Sequence, residues 1–108
     1  MSEAEILAAV RLAIGMDPGV VLWRNSVGLA FTNGRPIHYG LAVGSSDLLG
    51  ICDGRFIALE VKTSAGRVAA AQAQFLDLVR AKGGFAAVVR SPEEALAALV
   101  RCRAGDSQ

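Results

Sequence analysis

Aromatic, sulfur-bearing and imidazole side chains are all scarce in this chain. One Trp, one Tyr and four Phe make up 6% of it, so a core must be aliphatic, built from Leu, Val, Ile and Ala, which dominate the 53% apolar content. The two cysteines, Cys52 and Cys102, sit in Gly-Ile-Cys and Val-Arg-Cys with no CxxC spacing. That rules out a disulfide framework, argues against a structural zinc site, and reads as two reduced, partly buried thiols. His38 is the single histidine, which excludes a histidine-based zinc site. No glycine-rich phosphate loop of the P-loop or dinucleotide type is present. Excess charge of either sign is missing too: 19% of residues are charged and the formal net charge is +1. Such a chain is not disordered. Its net charge is a weak signal for a nucleic-acid binder, although acidic groups in a site lower the sum without removing a basic rim. No apolar run is long enough to span a bilayer. The start, Met-Ser-Glu-Ala-Glu, lacks the basic and apolar regions of a signal peptide, so a soluble, cytoplasmic protein is expected.

What is present fits one domain, residues 1–108, with a modest core. Ser2 and Glu5 form a capping box, and Ile6, Leu7, Val10, Ala13 and Ile14 recur at helical spacing up to Gly15. Asp17-Pro18-Gly19 is a turn, and Val20 to Trp23 a short strand. Residues 29–45, rich in Gly and polar groups, read as an irregular loop or ribbon. Asp47 to Cys52 and Arg55 to Thr63 read as strands joined by the two-residue turn Asp53-Gly54, hence antiparallel neighbours. Arg67 to Lys82 is an Ala-rich helix stopped by Gly83-Gly84, and Phe85 to Val89 a strand of the buried kind. Ser91-Pro92-Glu93-Glu94 is a second capping box, opening a helix whose inner face is Leu96, Leu99 and Val100. Ala104 to Gln108 reads as a frayed tail. The order helix, three strands, helix, strand, helix predicts an α/β fold with a mixed sheet flanked by helices.

The chemistry concentrates in Leu59-Glu60-Val61-Lys62. In a strand, Glu60 and Lys62 share one face while Ile57, Leu59 and Val61 take the other. Taken alone the pair is an exposed ion pair of small consequence. Asp47 changes that reading. It lies six residues before Asp53, and Glu60 six after Gly54, so a regular hairpin sets the two carboxylates near each other. Side by side they repel unless a cation intervenes. Mg²⁺ suits such a place, since it is held by one or two carboxylates and keeps several waters; the Val61 carbonyl adds a third protein oxygen. Lys62 would stabilise charge or orient the attacking water.

Two more polar residues fall on apolar helix stripes. Gln72 interrupts the stripe Val68, Phe75, Val79; it either reaches a polar site beneath the helix or merely flanks the core beside Ala71. Glu3 is aligned with Ile6 and Val10. It is either an acid directed at the site or a first-turn Glu favoured by the helix dipole. Arg24, Asn25, Arg35, His38 and Arg67 are candidate phosphate contacts. A solvated loop position is the alternative for each, and for Arg35 and His38 it reads equally well.

Gly44-Ser45-Ser46-Asp47-Leu48-Leu49-Gly50, Glu60-Val61-Lys62, Gly66-Arg67 and Gln72-Ala73-Gln74-Phe75, in this order, resemble the virus-type replication-repair nuclease (VRR-NUC) family of the PD-(D/E)xK superfamily. Trp23-Arg24-Asn25 with Gly28 resembles that family's first strand and turn. The likeness runs from Glu3 to about Leu99, with Ser46 in the proline position. It implies a restriction-endonuclease-like αβββαβ core with an extra C-terminal helix, and Mg²⁺- or Mn²⁺-dependent hydrolysis of DNA phosphodiester bonds. Asp47 and Glu60 would be the metal ligands, Lys62 the catalytic lysine, Glu3 the helix-one acid and Gln72 the supporting glutamine. It further implies a homodimer acting on branched DNA such as four-way (Holliday) junctions. A flap or restriction-type nuclease and a non-catalytic nucleic-acid-binding module on the same fold stand as alternatives.

Overall fold

The capping box at the start of the chain closes as its sequence requires. Ser2 Oγ accepts from the Glu5 N–H and Glu5 Oε1 from the Ser2 N–H, and helix α1 (Glu3–Gly15) follows. In this computed structural model, which describes residues 1–108, α1 leads into strand β1 (Val20–Arg24). Next come β2 (Gly28–Thr32), β3 (Arg35–Tyr39), β4 (Leu48–Cys52), β5 (Arg55–Val61), α2 (Ala70–Ala81), β6 (Phe85–Val89) and α3 (Pro92–Arg103).

The main sheet has the order β1-β4-β5-β6; the first three strands are antiparallel and β6 runs parallel to β5. Its centre is the β4–β5 hairpin. Asp53 and Gly54 both take positive φ, 49° and 83°, as the tight hairpin turn that matches strand twist demands. That turn sets the register from Cys52 opposite Arg55 to Leu48 opposite Leu59. The parallel β5–β6 pair is bridged by α2, the helical crossover that parallel strands need.

Helices cover both faces of the sheet. Ile6, Leu7, Val10 and Ile14 of α1, with Ala95, Ala98, Leu99 and Cys102 of α3, bury Leu48, Ile57, Leu59, Val61, Phe85 and Val89 on one side. On the other, Leu76 and Val79 of α2 cover Leu49, Ala58 and Ala86 in a smaller cluster. Strand alternation therefore assigns Ile57, Leu59 and Val61 to the larger core and turns Ala58 and Glu60 toward α2.

Four expectations are revised and one open choice is settled. Of the two readings for residues 29–45, the ribbon holds: β2 and β3 pair antiparallel as a separate two-stranded unit about the turn Asn33-Gly34, where φ is 52° and 75°. Asn-Gly is a strong hairpin signal. Helix α2 begins at Ala70 rather than Arg67, because the Gln72 side chain folds back and accepts from the Ala69 N–H at 2.8 Å, capping the helix there. In α3 the inner face is Ala95, Ala98, Leu99 and Cys102, while Leu96 and Val100 stay 48% and 69% exposed. The second capping box is half formed. Ser91 Oγ accepts from the Glu94 N–H, but Glu94 Oε1 takes the Arg90 N–H. The tail is tied down, since the Ser107 carbonyl accepts from the Ala86 N–H at 3.0 Å and Asp106 O from Arg55 Nη1 at 2.6 Å.

The two leucines of α3 provide a direct check. Leu99→Ala should destabilise the fold by about 2–5 kcal/mol in urea unfolding, as for a buried leucine. Leu96→Ala should cost only about 0.5 kcal/mol, as for an exposed position.

Candidate functional site

The hairpin delivers its acidic groups to the end remote from the turn. Continued one pair beyond Leu48 and Leu59, the β4–β5 register sets Asp47 opposite Glu60. Even-numbered residues of this part of β5 turn their backbone groups to β6, as the bond from the Lys62 N–H to the Val89 carbonyl shows. Asp47, the residue before β4, and Glu60 are therefore neighbours at the end of the ladder without ladder bonds between them. The Val61 N–H, turned toward β4, donates to Asp47 Oδ2 at 2.9 Å. The Val61 carbonyl lies on that same strand edge, since a strand residue directs both backbone groups to one side.

Glu60 is 1% exposed, under α2. Gln72 Nε2 donates to its Oε1 at 3.0 Å, and Lys62 Nζ lies 3.8 Å from the same oxygen. Oε2 is buried with no hydrogen-bond partner. Burial first, and then the Asp47 carboxylate, push the Glu60 pKa up to about 7; Lys62 pulls the other way. Gln72 thus links the first turn of α2 to Glu60 through both ends of its amide, which settles the choice between a polar partner and a core flank.

Asp47 is fixed by its neighbours on both sides. The Asn25 N–H donates to the Asp47 carbonyl at 2.7 Å, and Asn25 Nδ2 to Ser45 Oγ at 2.7 Å and the Ser46 carbonyl at 3.0 Å. Gly44, with φ +90°, presses the same loop onto α2, where a Cβ would stand 2.5 Å from the Ala71 carbonyl. Asn25 lines the cleft beside Asp47 while its side-chain nitrogen is used inside the chain.

Beside Asp47 opens a cleft of about 390 Å³ lined by Glu3, Leu7, Arg24, Asn25, Tyr39 and others. Glu3 is exposed rather than buried, and it shares this cleft with Asp47. Arg24, the last residue of β1, lines it, and its guanidinium makes no hydrogen bond or ion pair within the chain. Arg67 is exposed before α2 and does not line the cleft; Arg35 and His38 are exposed on the ribbon. Tyr39 was not expected here. The Asn33-Gly34 turn is the signal that would have found it, since a hairpin about that turn returns Tyr39 to a position opposite Gly28.

A divalent cation fits these groups. An unpartnered buried carboxylate oxygen facing a second carboxylate is a costly arrangement that a cation relieves. No cluster of three or more His, Cys, Asp or Glu side chains exists, so the protein donors would be the Asp47 and Glu60 carboxylates and the Val61 carbonyl. An all-oxygen set this small suits Mg²⁺ or Mn²⁺, which keep several waters, rather than zinc. No helix of the chain is long and apolar enough to cross a membrane. Comparison with known proteins finds no family model and no curated protein that matches the chain.

The raised pKa of Glu60 has a thermodynamic signature. Between pH about 4.5 and 7 the folded chain holds a proton that the unfolded chain has released, so metal-free stability should fall as pH rises across that window. The groups facing Glu60 are Asp47 from the loop before β4, Lys62 from β5 and the neutral Gln72 from α2. Glu60→Gln should flatten this part of the profile in chelator-treated urea unfolding and leave the protein more stable than the parent at pH 8. An unchanged slope would remove Glu60 as its source.

Proposed function

We propose that this chain is a metal-dependent DNA endonuclease of the VRR-NUC kind, hydrolysing phosphodiester bonds of branched DNA as a homodimer. The observation that carries the reading is the Asp47/Glu60 pair: two acids opposed across a hairpin, one buried with a free oxygen, and a lysine 3.8 Å from it. The order of elements supports it. With the ribbon and α3 set aside, the chain runs helix, three antiparallel strands, helix and parallel strand, the αβββαβ order of restriction-endonuclease-like cores.

The parts divide as follows. Asp47, Glu60 and the Val61 carbonyl hold Mg²⁺ or Mn²⁺. When bound, the ion supplies Lewis acidity at phosphorus and lowers the pKa of a water. Gln72 positions Glu60 and keeps its Oε1 engaged, leaving Oε2 for the ion. Lys62, with its side chain only 12% exposed, brings a positive charge to the place where negative charge develops on the phosphoryl oxygens. Glu3, which lines the cleft with Asp47, holds the attacking water, and Arg24 takes a flanking phosphate. Hydrolysis joins the water oxygen to phosphorus and breaks one ester P–O bond. Glu60 must be ionised to bind the cation, so the cation competes with a proton and its affinity weakens as pH falls. A two-fold dimer would present two such sites to two strands of a junction.

Cleavage of a four-way junction, a flap and a plain duplex, each with and without Mn²⁺, tests this. Expected is metal-dependent cutting with the junction fastest. Lys62→Ala should lower the rate about 100-fold or more, and Gln72→Ala about 10–100-fold, as for a residue that supports a metal ligand. An Asp47→Ala variant that cuts as fast as the parent would show that the site has been misassigned.

A further inference from the structure

Tyr39 is the only tyrosine of the chain and stands 48% exposed at the base of the ribbon, on the wall of the Asp47 cleft. Its position is built rather than incidental. A Cβ at Gly28 would lie 2.2 Å from the Tyr39 hydroxyl oxygen, so that glycine is the space into which the end of the ring fits. On the other side Gly40, at φ +83°, approaches the Ser26 backbone so closely that a Cβ would stand 2.2 Å from the Ser26 carbonyl. Two glycines thus pin the strand that carries Tyr39 against residues 26–28. The ring is held while its hydroxyl makes no hydrogen bond within the chain.

The same cleft is lined by Arg24, whose guanidinium has no partner within the chain, and by Asp47. An exposed aromatic, a free guanidinium and a metal-binding carboxylate match the three parts of a nucleotide strand: base, flanking phosphate and scissile phosphate. The volume of about 390 Å³ is at the small end for ligand sites, which run from about 300 to 1,000 Å³, and is of the size that takes a single nucleotide inside it. Both faces of a base inside a duplex are covered by its neighbours. Only an unpaired, terminal or flipped base offers a face to an aromatic ring.

We infer that this cleft seats one unpaired nucleotide of the strand being cut, its base stacked on Tyr39 and its phosphate on Arg24. The inference rests on the nuclease reading and narrows it: the cut falls beside a nucleotide that has left the double helix. Tyr39 is then a specificity-determining residue and Gly28 a residue that positions it.

Binding of DNA carrying 2-aminopurine tests this, with Ca²⁺ in place of Mg²⁺ to hold back cutting. The probe is placed at an unpaired position beside a branch in one substrate and inside plain duplex in another. The parent protein should quench the unpaired probe and leave the duplex probe unchanged. Tyr39→Phe should keep the quenching. Tyr39→Ala should abolish it and, with Mg²⁺, raise KM for branched DNA about tenfold at nearly unchanged kcat, in line with the loss of one stacked base. Gly28→Ala, which leaves Tyr39 in the chain but displaces it, should weaken quenching in the same direction. Persistent quenching in Tyr39→Ala, or equal quenching of the duplex probe, would overturn the inference. DNA that is cut with no quenching at all would overturn it and leave the nuclease reading standing. Failure to bind any of these DNAs would remove both.

Discussion

The register of β4 on β5 is the constraint on which the rest of the molecule depends. It is fixed by two residues, Asp53 and Gly54, whose positive φ angles make the hairpin as tight as a hairpin can be. A slip of one residue in β5 would turn Ile57, Leu59 and Val61 out of the larger core and bring Glu60 into it. The same turn that seals the core therefore sets Asp47 across from Glu60. The burial of the core face and the placement of the two acids are specified by one piece of geometry.

Burying Glu60 works against stability, and the surroundings limit the cost without removing it. Gln72 satisfies one carboxylate oxygen, Lys62 brings a compensating charge, and the raised pKa lets the group hold its proton near neutrality. The other oxygen stays unpaired. A residue selected only for folding would not sit this way, because an apolar side chain of like volume would pack there at no electrostatic cost. The pinning of Asp47 by Asn25, Gly44 and the Val61 N–H points in the same direction, since a mobile loop would let the two acids drift apart.

Much of the main sheet was legible from the sequence. Asp53-Gly54, the alternation of Arg55 to Val61 and the continuous apolar run Phe85 to Val89 each follow a local rule, and the paired acids follow from counting outward from the turn. Other parts are less legible. The start of α2 is set by a side-chain bond within its own first turn, from the Ala69 N–H to Gln72 Oε1, which an Ala-rich stretch does not announce. The inner face of α3 was misread because large side chains outrank small ones in a hydrophobic pattern. Here Ala95 and Ala98, with α1 close beside them, occupy the seam, and Leu96 and Val100 are left outside. The tail reads as frayed from its position alone, whereas its Ser107 carbonyl satisfies the Ala86 N–H on the outer edge of β6. The composition of residues 29–45, rich in Gly and polar groups, leaves loop and ribbon both open, although Asn33-Gly34 marks a turn.

That ribbon has no other helix or strand packed against it, and only its base meets the rest of the chain. A two-stranded hairpin on its own is marginally stable in water. Its formation is therefore thermodynamically separate from that of the sheet, and its length is a free parameter. Residues can be gained or lost near Asn33 without a penalty to the core, so among descendants of this sequence the reach of the ribbon can change while the cleft at its foot stays in place.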